Sequence, residues 1–213
     1  MSGIEIPKHR QAWSIYASEV PDFGDRNKVP SVSQLLAWAY GGPPDIPAVQ
    51  VAMDRGSKVH FACQLLDEGD LHWPSVEGTD LAKYLDAWTE WTDGVSDFVA
   101  IEQPLYGTIA GIHYLVRPDR VMRKGKQTWV VDIKTKSAVG RPPTASEQRQ
   151  HALEVAAQKL AVAQRLGPVA DVVGCCYLWP DKAKFVRYGA DKDVDDFADI
   201  LFRWTERNEV AVA

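Results

Sequence analysis

The period of the apolar pattern changes at Asp97, and that change limits the folds open to this chain. Downstream, FVAIEQPLY, TIAGIHYLV and two further segments around Arg123-Lys124-Gly125-Lys126 are rich in β-branched and aromatic residues. They follow one another too closely for a crossover connection, so they are expected to run antiparallel. GRPPT (Gly140 to Thr144) breaks this run, and Ala145 to Leu166 reads as one long helix ended by Gly167. A strand, ADVVGCCYLW, a shorter one, AKFVRY, and a last helix from about Asp193 to Arg207 complete the chain. An antiparallel group, one helical crossover and a returning strand predict an α/β fold with a central mixed β-sheet flanked by helices.

Upstream of Asp97 the spacing is helical. Residues 1 to 28, rich in Pro, Asp and Gly, read as an irregular N-terminal segment. Ser31 or Ser33 then caps a short helix, SQLLAWAY, stopped by Gly41-Gly42-Pro43-Pro44. A longer helix is expected from about Pro47 to Glu68 on the spacing of Val51, Val59, Ala62, Cys63 and Leu66, with Gly56 interrupting it. Thr79 to Thr92 reads as another, with Leu81, Leu85 and Trp88 facing inward. With 213 residues and 46% apolar composition, one core and one domain over 1–213 are expected.

Composition narrows the function classes. No apolar run approaches a membrane span, and MSGIEIPKHR lacks the apolar core of a secretory signal, so a soluble, cytoplasmic protein is expected. Cys63, Cys175 and Cys176 form no C-x-x-C, which argues against a disulfide framework, a zinc cage or an iron–sulfur cluster. A net charge of −5 argues against a protein that coats nucleic acid by charge alone. Its distribution is uneven. From Leu115 to Gln150 nine basic residues (Arg117, Arg120, Arg123, Lys124, Lys126, Lys134, Lys136, Arg141, Arg149) stand against three acids (Asp119, Asp132, Glu147).

That basic stretch encloses PDRVMRKGKQTWVVDIKT, which reads as a hairpin: a strand from about Val116 to Met122, a turn at Arg123 to Lys126, and a strand from Thr128 to Thr135. Alternation puts Asp132 and Lys134 on one face and Trp129, Val131 and Ile133 on the other, and the hairpin returns Asp119 beside the first face. Two carboxylates and an ammonium in one small volume suit a site for Mg²⁺.

These elements resemble the PD-(D/E)XK nuclease superfamily, in particular its RecB-like and lambda-exonuclease-like branch. VPSVSQLL resembles the branch's opening segment, RGSKVHFA its G-x-x-x-H helix, AIEQPLY the start of its sheet, and HALEVAAQKLA its Q-x-x-x-Y helix. The resemblance spans Val29 to Trp179 and implies a restriction-endonuclease-like core. It implies that Asp119, Asp132, the Ile133 carbonyl and His60 hold Mg²⁺ or Mn²⁺, that Lys134 orients or activates the attacking water, and that Glu102, Glu154 and Gln158 belong to the catalytic group. Two departures stand out. Glu154 and Gln158 occupy the places of the family's Gln and Tyr, or Gln158 takes the Gln place itself with the register moved one turn, and Tyr114 stands where many relatives carry an Asp, so that role passes to Asp119.

The expected function is a metal-dependent DNA nuclease, an exonuclease acting at DNA ends in phage or bacterial recombination or repair. Arg117, Arg120, Arg123, Lys124, Lys126, Lys136, Arg141 and Arg149 are the expected DNA-facing cations. A structure-specific endonuclease and a non-catalytic DNA-binding protein that keeps the fold are the alternatives. By analogy with the branch, further partners are a single-strand annealing protein and a second copy of the chain.

Overall fold

The computed structural model describes residues 29–137, 141–167, 169–189 and 191–208. The irregular segment expected over 1–28 lies outside them.

Ser31, not Ser33, opens α1 (Val32–Tyr40): its hydroxyl accepts from the Gln34 N–H while the Gln34 side chain accepts from the Ser31 N–H. Helix α2 (Pro47–Glu68) starts on a proline, whose missing N–H costs nothing at that position. Gly56 does not interrupt it. A Cβ there would lie 3.2 Å from Thr135 Oγ1, so the missing side chain lets the helix lie against the sheet. Helix α3 (Asp80–Thr92) follows, and buries Leu85 and Trp88 while Leu81 stays half-buried.

The strands are β1 (Val95–Ile101), β2 (Leu105–Ile109), β3 (Ile112–Val116), β4 (Arg120–Lys124) and β5 (Gln127–Thr135). Helix α4 (Ala145–Arg165) leads to β6 (Val172–Leu178), β7 (Ala183–Arg187) and α5 (Asp191–Arg207). The main sheet has the order β1-β4-β5-β6-β7, parallel only between β5 and β6, where α4 makes the crossover. This is the α/β architecture with a mixed sheet and flanking helices.

The early strands do not form one continuous antiparallel run. Strand β1 pairs directly with β4, while β2 and β3 form a separate two-stranded hairpin. That hairpin closes on Ala110 and Gly111 with φ 48° and 83°, the double positive φ of a type I′ turn. It is held on α4, where the Gln164 side chain donates to the Thr108 carbonyl and accepts from the Thr108 N–H. The β4–β5 hairpin is also shorter than expected: Val116 belongs to β3, and only Gly125-Lys126 turn between paired Lys124 and Gln127. Gly125 has φ 62° at the first turn position, as a type II′ turn requires.

Two cores cover the faces of the sheet. One contains Val121, Val130, Val173, Cys175 and Tyr177 beneath α1, α4 and α5. The other contains Met122, Val131, Ile133, Cys176 and Leu178 beneath α2 and α3. The alternation expected along β5 therefore holds, with Trp129, Val131 and Ile133 on the α2–α3 side. Tyr114 is fully buried in the first core, where its hydroxyl donates to the Ala157 carbonyl and its ring stands edge-on to Phe197.

Gly107 faces that ring so closely that a Cβ would lie 2.1 Å from Tyr114 Cζ. Gly107→Ala is therefore expected to cost about 1–3 kcal/mol by overpacking, and Tyr114→Phe only about 1 kcal/mol for one lost hydrogen bond. Urea unfolding of both variants measures the difference.

Candidate metal centre

Strand register assembles the site. Ile101 of β1 pairs with Arg120 of β4, and Arg120 pairs with Val131 of β5. The next position along these strands holds Glu102, Asp119 and Asp132 in turn, so three acids stand side by side at one end of the sheet. The Glu102 N–H donates to the Asp119 carbonyl at 3.1 Å. Glu102 has φ 48°, a left-handed conformation that costs a residue with a Cβ roughly 1–2 kcal/mol. Ala110 shares that φ because of its turn; at Glu102 the conformation accompanies a carboxylate turned into a buried charge cluster.

His60 of α2 completes the first part of the site. Its Nδ1 lies 3.5 Å from Asp119 Oδ2 and 3.8 Å from Glu102 Oε1. Burial opposes a charge on this imidazole, but Asp119 and Glu102 outweigh it and raise the pKa to about 10. Burial likewise disfavours the Glu102 carboxylate, yet His60, Arg117 and Arg120 together bring its pKa below the ordinary value.

The second part centres on Lys134. Its Nζ lies 2.7 Å from both Asp132 Oδ2 and Glu154 Oε2. Gln158, one helical turn beyond Glu154, donates to Asp132 Oδ1 at 3.0 Å. Burial disfavours the ammonium, but Asp132 and Glu154 hold its pKa well above the ordinary lysine value. Burial and repulsion from Asp132 push Glu154 up to about 7, against the pull of Lys134.

One buried hydrogen bond joins the two parts: the Ile133 N–H donates to Asp119 Oδ2 at 2.6 Å. In an extended strand the N–H and C=O of one residue point to the same side. The Ile133 carbonyl therefore also opens toward Asp119, beyond the last β4–β5 pair at Arg120 and Val131.

The residues fit a divalent cation. One ligand atom from each of His60, Glu102 and Asp119 lies within 4.8 Å of the others, and buried Glu102 Oε1 has no hydrogen-bond partner. Arg120 at 3.5 Å and His60 at 3.8 Å face that oxygen without a hydrogen bond, which leaves it able to accept a closer cation. A donor set of two carboxylates, an imidazole and a nearby carbonyl suits a divalent cation. Asp132 borders this trio with both carboxylate oxygens engaged by Lys134 and Gln158.

The expected DNA-facing cations are scattered by the fold. Arg120 is fully buried and binds Asp67 Oδ2 at 2.6 Å, the Asp119 carbonyl at 2.6 Å and Glu102 Oε1 at 3.5 Å, so it is an internal counter-ion and not a phosphate contact. Arg149 is engaged by Asp193 and Asp196 of α5, Arg141 by Glu147, and Arg117 by Glu102. Arg123, Lys124 and Lys126 lie at the far tip of the hairpin: the eight residues from Lys126 to Lys134 span roughly 26 Å at about 3.3 Å each. Arg117, held by Glu102, and Lys136, over the Tyr177 ring, stay beside the site.

Asp67 was missed in the sequence. It accepts from Arg120 Nε and from Trp88 Nε1, the latter at 3.0 Å. The signal was its spacing: His60, Cys63 and Asp67 fall at i, i+3 and i+7 on one face of α2.

No protein-family model and no curated protein sequence matches the chain. Solved structures do. The crystal structure of a Eubacterium rectale protein named "Putative exonuclease" superposes with a TM-score of 0.56 at 10% identity, over 95% of this chain and 85% of that one. The two chains share a fold. The structure of SSO0001 aligns with a TM-score of 0.40 at 12% identity, over 92% of this chain and 83% of that one.

Arg120→Ala is expected to cost about 3–5 kcal/mol, because it leaves Asp67 as an uncompensated buried acid and removes one of the cations beside Glu102. Denaturant unfolding checks this, and adding Asp67→Asn to the variant is expected to recover part of the loss.

Proposed function

We propose that this chain is a Mg²⁺- or Mn²⁺-dependent DNA nuclease of the PD-(D/E)XK type, cutting phosphodiester bonds from DNA ends. The observation that carries the reading is the trio His60, Glu102 and Asp119, whose Glu102 Oε1 has no hydrogen bond, joined through Ile133 to Asp132 and Lys134. The exonuclease name of the Eubacterium rectale protein with the same fold is consistent with it.

His60, Glu102, Asp119 and the Ile133 carbonyl hold the cation, with Asp132 at its border. A bound Mg²⁺ or Mn²⁺ supplies positive charge to the phosphate and acidifies the attacking water. Lys134, kept charged by Asp132 and Glu154, donates hydrogen bonds and orients the water or a phosphate oxygen instead of removing a proton. Gln158 fixes the Asp132 carboxylate, and Glu154 sets the position of the ammonium from the α4 side. Water adds across the P–O bond, leaving a phosphate monoester on one product and a hydroxyl on the other.

End-labelled linear duplex incubated with the protein and either metal is expected to lose its label. Lys134→Ala is expected to slow that loss about 10²- to 10³-fold, and Asp119→Asn to abolish Mn²⁺ binding in titration calorimetry. No label loss, or equal loss with Lys134→Ala, overturns the reading. Covalently closed circles are expected to survive; their linearisation assigns the endonuclease mode.

A further inference from the structure

A cleft of about 560 Å³ opens between α2 and α3, next to the ends of β5 and β6. This is within the roughly 300–1,000 Å³ usual for small-ligand sites. Its lining divides by chemistry. Val51, Leu81 and Pro180 supply apolar walls, and Arg55, Lys58 and Lys83 supply cations. Lys83 is engaged by Asp80 at 2.8 Å, and Asp54 is a further acid on the rim. Among the described residues, neither Arg55 nor Lys58 has an ion-pair partner, and Arg55 Nε is a buried donor without an acceptor.

The position connects the cleft to the metal centre. Val59 lines it and the next residue is His60. Arg55 precedes His60 by five residues, about 7.5 Å along the helix and about 140° around it, and the cleft approaches the site through Ser137, which follows the strand bearing Lys134. Gly56 packs on Thr135 of β5, so this turn of α2 lies against the strand that carries Lys134. These cations add to Arg117 and Lys136, which the basic stretch from Leu115 to Gln150 leaves near the site.

Resting on the nuclease reading above, we propose that the α2–α3 cleft seats one unpaired nucleotide adjacent to the bond being cut. The base lies between Val51, Leu81 and Pro180, and the phosphate meets the positive charges of Arg55 and Lys58. A base held in a duplex cannot enter a cleft of this kind, because its edge is paired and its faces are stacked. The substrate strand is therefore unpaired where it meets α2.

The test uses the full chain and a fluorescently labelled single-stranded deoxyoligonucleotide, with Ca²⁺ for binding by anisotropy and Mn²⁺ for cleavage. Three variants are compared with the wild type: Arg55→Ala, Arg55→Ala with Lys58→Ala, and Val51→Trp, which fills the cleft from an exposed helical position. Thermal unfolding confirms that each is folded. The double variant and Val51→Trp are expected to raise Kd and KM tenfold or more with kcat within threefold. The double variant is also expected to flatten the slope of log K against log salt by about 0.7 for each lost phosphate contact. Wild-type cleavage with Kd and KM unchanged in all three folded variants overturns the cleft assignment and leaves the nuclease reading intact. A wild type that binds the oligonucleotide through Arg55 and Lys58 but cleaves nothing overturns the nuclease reading alone. Absence of both binding and cleavage overturns both.

Discussion

The buried guanidinium of Arg120 is the charge on which the rest of the site depends. It meets Asp67 from α2, Glu102 from the end of β1 and the Asp119 carbonyl from its own strand. Without a cation there, the acids at the sheet edge and on α2 would repel one another inside a medium that screens poorly. Arg120 neutralises part of that charge from behind while His60 faces the opening. The arrangement leaves Glu102 and Asp119 accessible to a metal without leaving Asp67 uncompensated.

The sheet then does the positioning. Three acids distant in sequence become neighbours because each follows the last paired row of its strand, and the Ile133 N–H ties Asp119 to the strand that bears Asp132 and Lys134. Two cores press helices onto both faces, so the carboxylates project from rigid elements and little rearrangement is needed to receive a cation. The strained φ of Glu102 belongs to the same logic, since a relaxed residue there would direct its carboxylate elsewhere. Tyr114 belongs to the opposite side of the structure. Its ring and hydroxyl are consumed by Gly107, Phe197 and Ala157, which explains why that position contributes nothing to the metal centre.

Much of this was legible in the residues because it depends on short-range periodicity. The change of period at Asp97, the long helix α4 and the returning strand β6 fixed an α/β class, and alternation along β5 put Asp132 and Lys134 on one face. Contacts between distant segments were not legible. The β2–β3 hairpin looks like part of the main sheet until its packing on α4 is known, and an arginine that neutralises buried acids has the same letter as one that meets phosphate. Counting basic residues along the chain therefore overstated the charged surface near the site. Arg120 turned inward, Arg149 was taken by α5, and the hairpin tip lay a full strand length away.

The sequence by itself determined the kinds of element, their order and the residue types able to hold a divalent cation, because backbone geometry makes side-chain direction periodic along a helix or strand. Only the tertiary structure decided which acids share a volume with His60, which cations remain free and where a cleft opens between α2 and α3. Those outcomes depend on strand register and helix docking, and both are set by the burial of side chains that are far apart in the chain.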